Sequence, residues 1–423
     1  MNTHQTTALL LGLAAIVVLA RLLGALARRF GQPAVIGEVL AGIALGPTFL
    51  DGALSDTLFP TDIRPLLTAL AAVGVAVFMF IVGLEVDGAL LRGNGSLATT
   101  VSFSSILVPF GLGMLLALYL VDDYGTDDRT AFMLFMGIAM SITAFPVLAR
   151  ILTDRQMTHT PLGVMAVACA AIGDVLAWVL LAAVVAVSGS AGADQWHMLF
   201  AVPYLLGMLF LVRPLLHRYA ARRPELRLTP TVFAYVLAGL LLSAAATEWV
   251  GLHYIFGAFL FGAILPRTGT ERLRTQVHDR LGQMTGILLL PVFFLVSGLQ
   301  VDLSKLDLDG LGALALILFV AVGGKFIGAF AAARLNRMPL RESAALATLM
   351  NTRGLTELIV LNVGLQLGFL GKDLYSLMVV MAVITTAMTG PLLNRILGRP
   401  KDNDVETQPQ VPERTAGTVG TAA

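Results

Sequence analysis

From Gly163 to Val187 the chain carries one carboxylate, Asp174, within twenty-five residues that are otherwise uncharged. About 20 apolar residues rising 1.5 Å each cross the hydrocarbon core of a bilayer, so this run has the length and polarity of a membrane-spanning helix. In lipid the backbone has to satisfy its own hydrogen bonds, which leaves helix as the conformation open to such a segment. A carboxylate near its middle costs at least about 2.5–3.5 kcal/mol on insertion scales, and groups kept at that cost mark ion or proton pathways.

The whole chain shares this character: 57% of its 423 residues are apolar, 13% are charged, and the mean hydropathy is +0.83. Thirteen spans are predicted, at 6–28, 34–50, 65–85, 97–121, 130–152, 161–188, 197–217, 229–249, 252–266, 284–300, 310–334, 343–368 and 374–396. The loops test this parse, because Lys and Arg accumulate on the cytoplasmic side. Alternate loops and the tail hold 21 basic residues, from Arg28 to Arg414, and the opposite loops only Arg64, Arg129, Lys305 and Lys372 among acidic neighbours. The expected topology has the N-terminus outside and the C-terminus in the cytoplasm, in the plasma membrane. The first span has no Lys or Arg before its apolar run, which argues for a retained helix over a cleaved signal peptide.

Arg21, Lys325 and Arg353 are the basic residues left inside spans. Cys169 is the sole cysteine, and the six histidines show no metal-ligand spacing. There is no phosphate-binding loop, so neither an ATP motor nor a cofactor is expected, and nucleic acid is not an expected partner. The tail from Lys401 to Ala423 is polar, rich in Pro, Thr and Gly, and reads as disordered.

Internal repetition bears on mechanism. VFMFIVGLEVD (Val77–Asp87) matches VFFLVSGLQVD (Val292–Asp302) at six of eleven positions, and GEVLAGIAL from Gly37 matches GAFLFGAIL from Gly257 at the same spacing of Gly and Leu. Each pair lies seven spans apart, and an odd separation inverts one copy relative to the membrane. Inverted repeats build alternating-access transporters with a binding site where the repeats meet. Residues 1–400 are therefore read as a single all-α polytopic domain, with spans 1–6 and 8–13 as inverted halves and span 7 as linker.

The same offset pairs span 5 with span 12, and both read as discontinuous. Span 5 contains Ser141-Ile142-Thr143-Ala144-Phe145-Pro146, where Pro146 removes a backbone donor. Span 12 contains Asn351-Thr352-Arg353-Gly354-Leu355-Thr356-Glu357, a high polar density for lipid. Half-helix ends with free carbonyls, and hydroxyls such as those of Ser141 and Thr143, can coordinate a cation. Lys325 in span 11 lies too deep for snorkelling and needs a counter-charge, for which Asp174 is the first candidate and Glu357 the second. Gly324 and Gly328 provide the small-xxx-small spacing that lets a helix approach closely. Arg353 and Glu357, four apart, can neutralise each other. Glu38, early in span 2, reads as a structural carboxylate or a partner of Arg21.

GEVLAGIALGP (Gly37–Pro47), FIVGLEVD (Phe80–Asp87), SITAFPVLARIL (Ser141–Leu152), GDVLAWVLLA (Gly173–Ala182), GGKFIGA (Gly323–Ala329) and MNTRGLTELIVLNVGL (Met350–Leu365) together resemble the monovalent cation:proton antiporter-2 family, in particular plant cation/proton exchangers and their bacterial relatives. The resemblance implies a homodimeric secondary transporter rather than an enzyme. It also implies a dimerisation domain, a mobile core holding two crossed discontinuous helices, an ion-binding aspartate at Asp174 and a membrane lysine at Lys325. Members with two adjacent acids have Asp or Asn before that aspartate, whereas this chain has Gly173, which favours electroneutral exchange of one proton for one cation, Na⁺ or K⁺. The competing readings are a Na⁺-coupled symporter of an organic anion and a membrane sensor or channel subunit.

Overall fold

The computed structural model describes residues 3–48, 52–85, 95–126, 128–157, 160–188, 200–222, 228–267, 269–304 and 306–398. Asp87, Arg92, Lys305 and the predicted tail at 401–423 lie outside the described residues. Among those described, the secondary structure is helical throughout. Among the described residues nine helices are long and apolar enough to cross a bilayer, accompanied by the shorter apolar helices Ala34–Leu45, Tyr254–Ile264 and Leu355–Gln366.

In chain order the elements are α1 (Thr3–Arg29), α2 (Ala34–Leu45), α3 (Ala53–Leu58), α4 (Arg64–Glu85), α5 (Gly95–Tyr124), α6 (Arg129–Ser141), α7 (Phe145–Asp154), α8 (Pro161–Ser188), α9 (Ala201–Gly207), α10 (Arg213–Ala221), α11 (Pro230–Val250), α12 (Tyr254–Ile264), α13 (Glu271–Met284), α14 (Leu290–Leu299), α15 (Leu308–Leu335), α16 (Leu340–Met350), α17 (Leu355–Gln366) and α18 (Lys372–Leu397). Short wide turns, Met208–Val212 and Thr285–Leu289, join α9 to α10 and α13 to α14. Each sits just before a proline near the start of the next helix, Pro214 and Pro291, whose missing N–H and ring disturb the preceding turn. The tenth predicted span thus extends backwards through α13, a charged helix whose Leu273, Val277 and Leu281 are buried and which packs on α4. Its polarity concealed it from a reading based on apolar length.

The packing repeats with the seven-span offset. α1 lies on α2 as α11 lies on α12; α2 lies on α14 as α12 lies on α4; α5 meets α6 and α8 as α15 meets α16 and α18. The repeated glycines show why. A Cβ on Gly42 would meet Leu295 O and one on Gly298 would meet Val39 O, while in the other copy Gly262 faces Phe80 O and Gly83 faces Phe259 O. Gly37 and Gly257 likewise abut Leu23 O and Ser243 O. Absence of a side chain lets backbone touch backbone at these crossings.

Two bundles result. One contains α1–α4 and α11–α14, the other α5–α8 and α15–α18, and their helices meet chiefly where α14 faces α17. In the second bundle Gly324 and Gly328 bring α15 against Pro109 and Ser104 of α5, and Ser104 Oγ donates to Gly328 O at 2.8 Å.

A candidate ion site at two interrupted helices

The helical path of span 5 stops at Ser141 and resumes at Phe145, with Ile142 and Ala144 extended. Pro146 stands in the first turn of α7, where a missing N–H costs nothing, so the break itself lies just upstream of it. Span 12 stops at Met350 and resumes at Leu355. Gly354 holds φ at +150°, a conformation closed to other residues, and a Cβ there would strike Val147. The two breaks are tied directly: Ala144 N donates to Thr352 O at 2.9 Å and Thr143 Oγ1 to Met350 O at 2.9 Å.

A helix end leaves its last carbonyls without intrahelical partners, and here both buried ends are satisfied, by different means. At the end of α6, Ser141 Oγ donates to Ile138 O at 2.8 Å. Arg353 donates to Ala139 O and Met140 O, both at 2.6 Å, and Lys325 Nζ donates to Ser141 O and, at 2.6 Å, to Thr143 Oγ1. At the end of α16 the partners are neutral: Asn351 N and Thr352 N serve the carbonyls of Ala347, Thr348 and Leu349, and Thr143 serves Met350. Two full positive charges thus offset the partial negative charge of one half-helix, and no charged group offsets the other.

Arg353 also reaches Glu357 Oε2 at 2.9 Å, and both side chains are wholly inaccessible. Among the described residues, Lys325, with 0% exposure, forms no ion pair with a carboxylate. The expected contact with Asp174 or Glu357 is therefore replaced by a helix-end carbonyl and a hydroxyl, the polar groups that the break in span 5 itself sets free. Asp174 is 4% exposed, near the Phe145 amide that begins α7, with Lys325 its nearest cation in electrostatic terms. Among the described residues Asp174 Oδ1 has no hydrogen-bond partner, and neither have the buried oxygens Asn351 Oδ1, Thr352 Oγ1 and Glu357 Oε1. Glu357 stands in the first turn of α17, and Asp174, midway along the unbroken α8, lies near the start of α7, so each faces a half-helix end whose dipole favours negative charge.

Glu38 lies apart from this cluster. It lines a cavity of about 290 Å³ between the bundles, which runs from Arg28 and Arg150 inward to Pro146 and Leu355. Arg21 and Arg28 are its cationic neighbours without direct contact. Thr386 on α18 escaped sequence reasoning: its Oγ1 donates to Arg353 O at 2.6 Å and accepts from Arg353 N at 3.2 Å, pinning the unwound strand. A threonine in an apolar helix carries no signal until its partner is known.

Comparison with known proteins agrees with this architecture. Residues 14–398 match the family model described as sodium/hydrogen exchanger, transmembrane. The chain is 39% identical over 418 residues to the Na(+)/H(+) antiporter NhaS4 of Synechocystis, covering 95% of this chain and 100% of that one. It is 37% identical to Cation/H(+) antiporter 17 of Arabidopsis thaliana and 32% identical to K(+)/H(+) antiporter 1 of Saccharomyces cerevisiae, over 92% and 85% of this chain. The match spans only 48% and 43% of those two longer relatives. The fold matches that of the sodium proton antiporter MjNhaP1 from Methanocaldococcus jannaschii with a TM-score of 0.66 at 16% identity, over 93% of this chain and 98% of that one. With nine bilayer-length helices, repeated packing and a family match over almost all of its helices, the chain belongs to the transmembrane sodium/hydrogen exchanger family.

Proposed function

We propose that this protein is a secondary transporter that exchanges a monovalent cation, Na⁺ or K⁺, for protons, with Asp174 binding the two in competition. The observation that carries this reading is the state of Asp174: a buried carboxylate with an oxygen left without a partner, beside a lysine engaged elsewhere. Because Lys325 and Arg353 are occupied by the end of α6, Asp174 is free to take a proton or a cation. The end of α16, with neutral partners only, adds partial negative charge without a competing cation. Desolvation penalises moving the bare carboxylate across the membrane, and the protonated or cation-paired form escapes that penalty. Exchange follows from that difference.

The two bundles are the natural moving parts, with α1–α4 and α11–α14 as the scaffold and dimer-forming side, and α5–α8 and α15–α18 as the mobile core. In this reading the halves are inverted repeats, the N-terminus faces outward, the arginine-rich loops face the cytoplasm of a plasma membrane, and the cavity past Glu38 is the cytoplasmic approach to the site. The names of the relatives support both Na⁺ and K⁺ as cargo.

The test is exchange in proteoliposomes, read as internal pH on addition of Na⁺, K⁺, Li⁺ or Rb⁺. Asp174→Asn is expected to fold and to lose cation-driven proton movement. Wild-type exchange by a folded Asp174→Asn protein would sink the assignment.

A further inference from the structure

We infer that His253 is a second proton-binding site, separate from Asp174, and that a proton taken up there undoes one of the bonds that hold the two bundles together. His253 immediately precedes α12 and is 8% exposed. It lines a cavity of about 30 Å³, room for a water molecule, with Thr68 of α4, Gln300 at the end of α14, and Asn362 and Gln366 of α17. Its Nδ1 is buried and, among the described residues, has no hydrogen-bond partner.

The neighbouring amides decide which ring nitrogen is bare. Asn362 Nδ2 donates to Ser297 Oγ at 3.3 Å and Gln366 Nε2 donates to Asn362 Oδ1 at 2.9 Å, so Gln366 turns Oε1 to the ring, 3.3 Å from His253 Nε2. Nε2 therefore carries the hydrogen, and the neutral ring keeps its lone pair on Nδ1. The resulting bond crosses from the first bundle to α17 of the second. Tyr375 Oη, which donates to Ser297 O at 3.1 Å, crosses the same seam without involving the ring.

A proton added to Nδ1 turns the ring into a cation with a new donor and no acceptor beside it. Around it, α4, α14 and α17 line the cavity with Thr68, Phe293, Gln300, Asn362 and Gln366 and without charge, and the Met208–Val212 turn against α12 is apolar. On α11 the exposed Glu248 acts on the ring electrostatically, its Oε2 accepting from Tyr254 N at 2.8 Å, and the Tyr254 ring lies 4.3 Å from that of His253. An adjoining cavity of about 620 Å³, which shares Thr68, Gln300 and Gln366, carries Asp302, Lys372 and the ion pair of Asp56 with Arg64. A charge left buried among neutral groups is costly, so the protonated ring is stable beside Glu248 and water, away from Gln366. In the topology proposed above α12 begins at the outer surface, which makes the proton an external one. The effect on exchange rests on that reading; the proton site does not.

Magnetic resonance of the full-length protein in detergent, with isotope-labelled histidine, reads both protonation and tautomer, and the signal missing from H253Q is that of His253. As pH falls from about 8 to about 5 that signal is expected to pass from a bare Nδ1 to an imidazolium. A neutral ring with its hydrogen on Nδ1, or a signal that does not titrate over this range, overturns the site. Release is read as the distance between spin labels at A245C on α11 and D373C on α18, both exposed, in a Cys169→Ala background. Acid is expected to raise the population of longer distances about two- to tenfold, the worth of one net hydrogen bond, in the parent and not in H253Q, whose amide can donate to Gln366 but cannot gain a proton. An unchanged distribution in the parent, or the same change in H253Q, overturns release. Q366L, which removes the acceptor, is expected to show the longer distances at both ends of the pH range, and a parent-like response there also overturns release. Both measurements need no transport and are expected to hold in Asp174→Asn, so their failure is distinct from failure of the exchange reading. In vesicles, external acid is expected to change the initial exchange rate of wild type relative to H253Q by about the same factor; a constant ratio overturns the effect on exchange.

Discussion

At the scale of single residues, the densest chemistry gathers on Arg353. It is wholly buried, caps two carbonyls of α6, pairs with Glu357 and is held through its backbone by Thr386. Removing one partner of a buried charge pair leaves the other uncompensated, so Arg353→Gln is expected to destabilise the protein by about 3–5 kcal/mol, as a loss of melting temperature in detergent. Arg353→Lys should recover little of this, since an ammonium lacks the fork that spans two carbonyls and a carboxylate. Gly173 makes a gentler test, because a Cβ built there meets nothing within 4 Å. Gly173→Asp is expected to fold and to place a second acid beside Asp174, so that exchange, if it is electroneutral in the parent, becomes exchange that a membrane potential can drive. Potential-insensitive exchange by a folded Gly173→Asp protein would count against a charge-counting account of coupling. Asp174, Lys325, Arg353 and Glu357 were all legible in the sequence as charges out of place in lipid. What they touch was not, because an ammonium near an interrupted helix can satisfy itself on carbonyls that look like any others in a sequence.

At the scale of elements, glycines decide where helices can cross. Gly262→Ala pushes a methyl group into Phe80 O, and Gly42→Ala does the same at Leu295 O. Each is expected to cost about 1–3 kcal/mol by overpacking, against no measurable change for Gly173→Ala at its open position. Equal stability of all three, measured by thermal unfolding in one detergent, would contradict the close-crossing account. The repeated GEVLAG and GAFLFG segments were legible in the sequence as a repeat, and the structure shows the steric cause that their glycines share. The amphipathic α13 gave no such signal. Its burial depends on α4 lying beside it, a fact of packing and not of composition.

At the scale of the whole molecule, a polar chain ties the two bundles together where α14 faces α17. His253 Nε2 lies 3.3 Å from Gln366 Oε1, Gln366 Nε2 donates to Asn362 Oδ1 at 2.9 Å, and Asn362 Nδ2 donates to Ser297 Oγ at 3.3 Å. These bonds cross from α12 and α14 to α17, so any separation of the bundles on that side has to break them. Cysteines at Ser297 and Asn362, in a Cys169→Ala background, are expected to form a disulfide on mild oxidation and to arrest exchange until reduced. Full exchange with the cross-link in place would show that transport does not require the bundles to part there.

The doubled glycine crossings carry a last consequence. If one half of the molecule can adopt the shape of the other, the two ends of the transport cycle are nearly degenerate as far as the main chain is concerned, and no spring in the scaffold favours either. The bias between them then resides in side chains without a counterpart in the other copy, among them Glu38, where the matching position holds Ala258, and the two cations gathered on one half-helix end and not on its twin. The resting position of such a machine is written in its imperfections of symmetry, where a single substitution can tilt it.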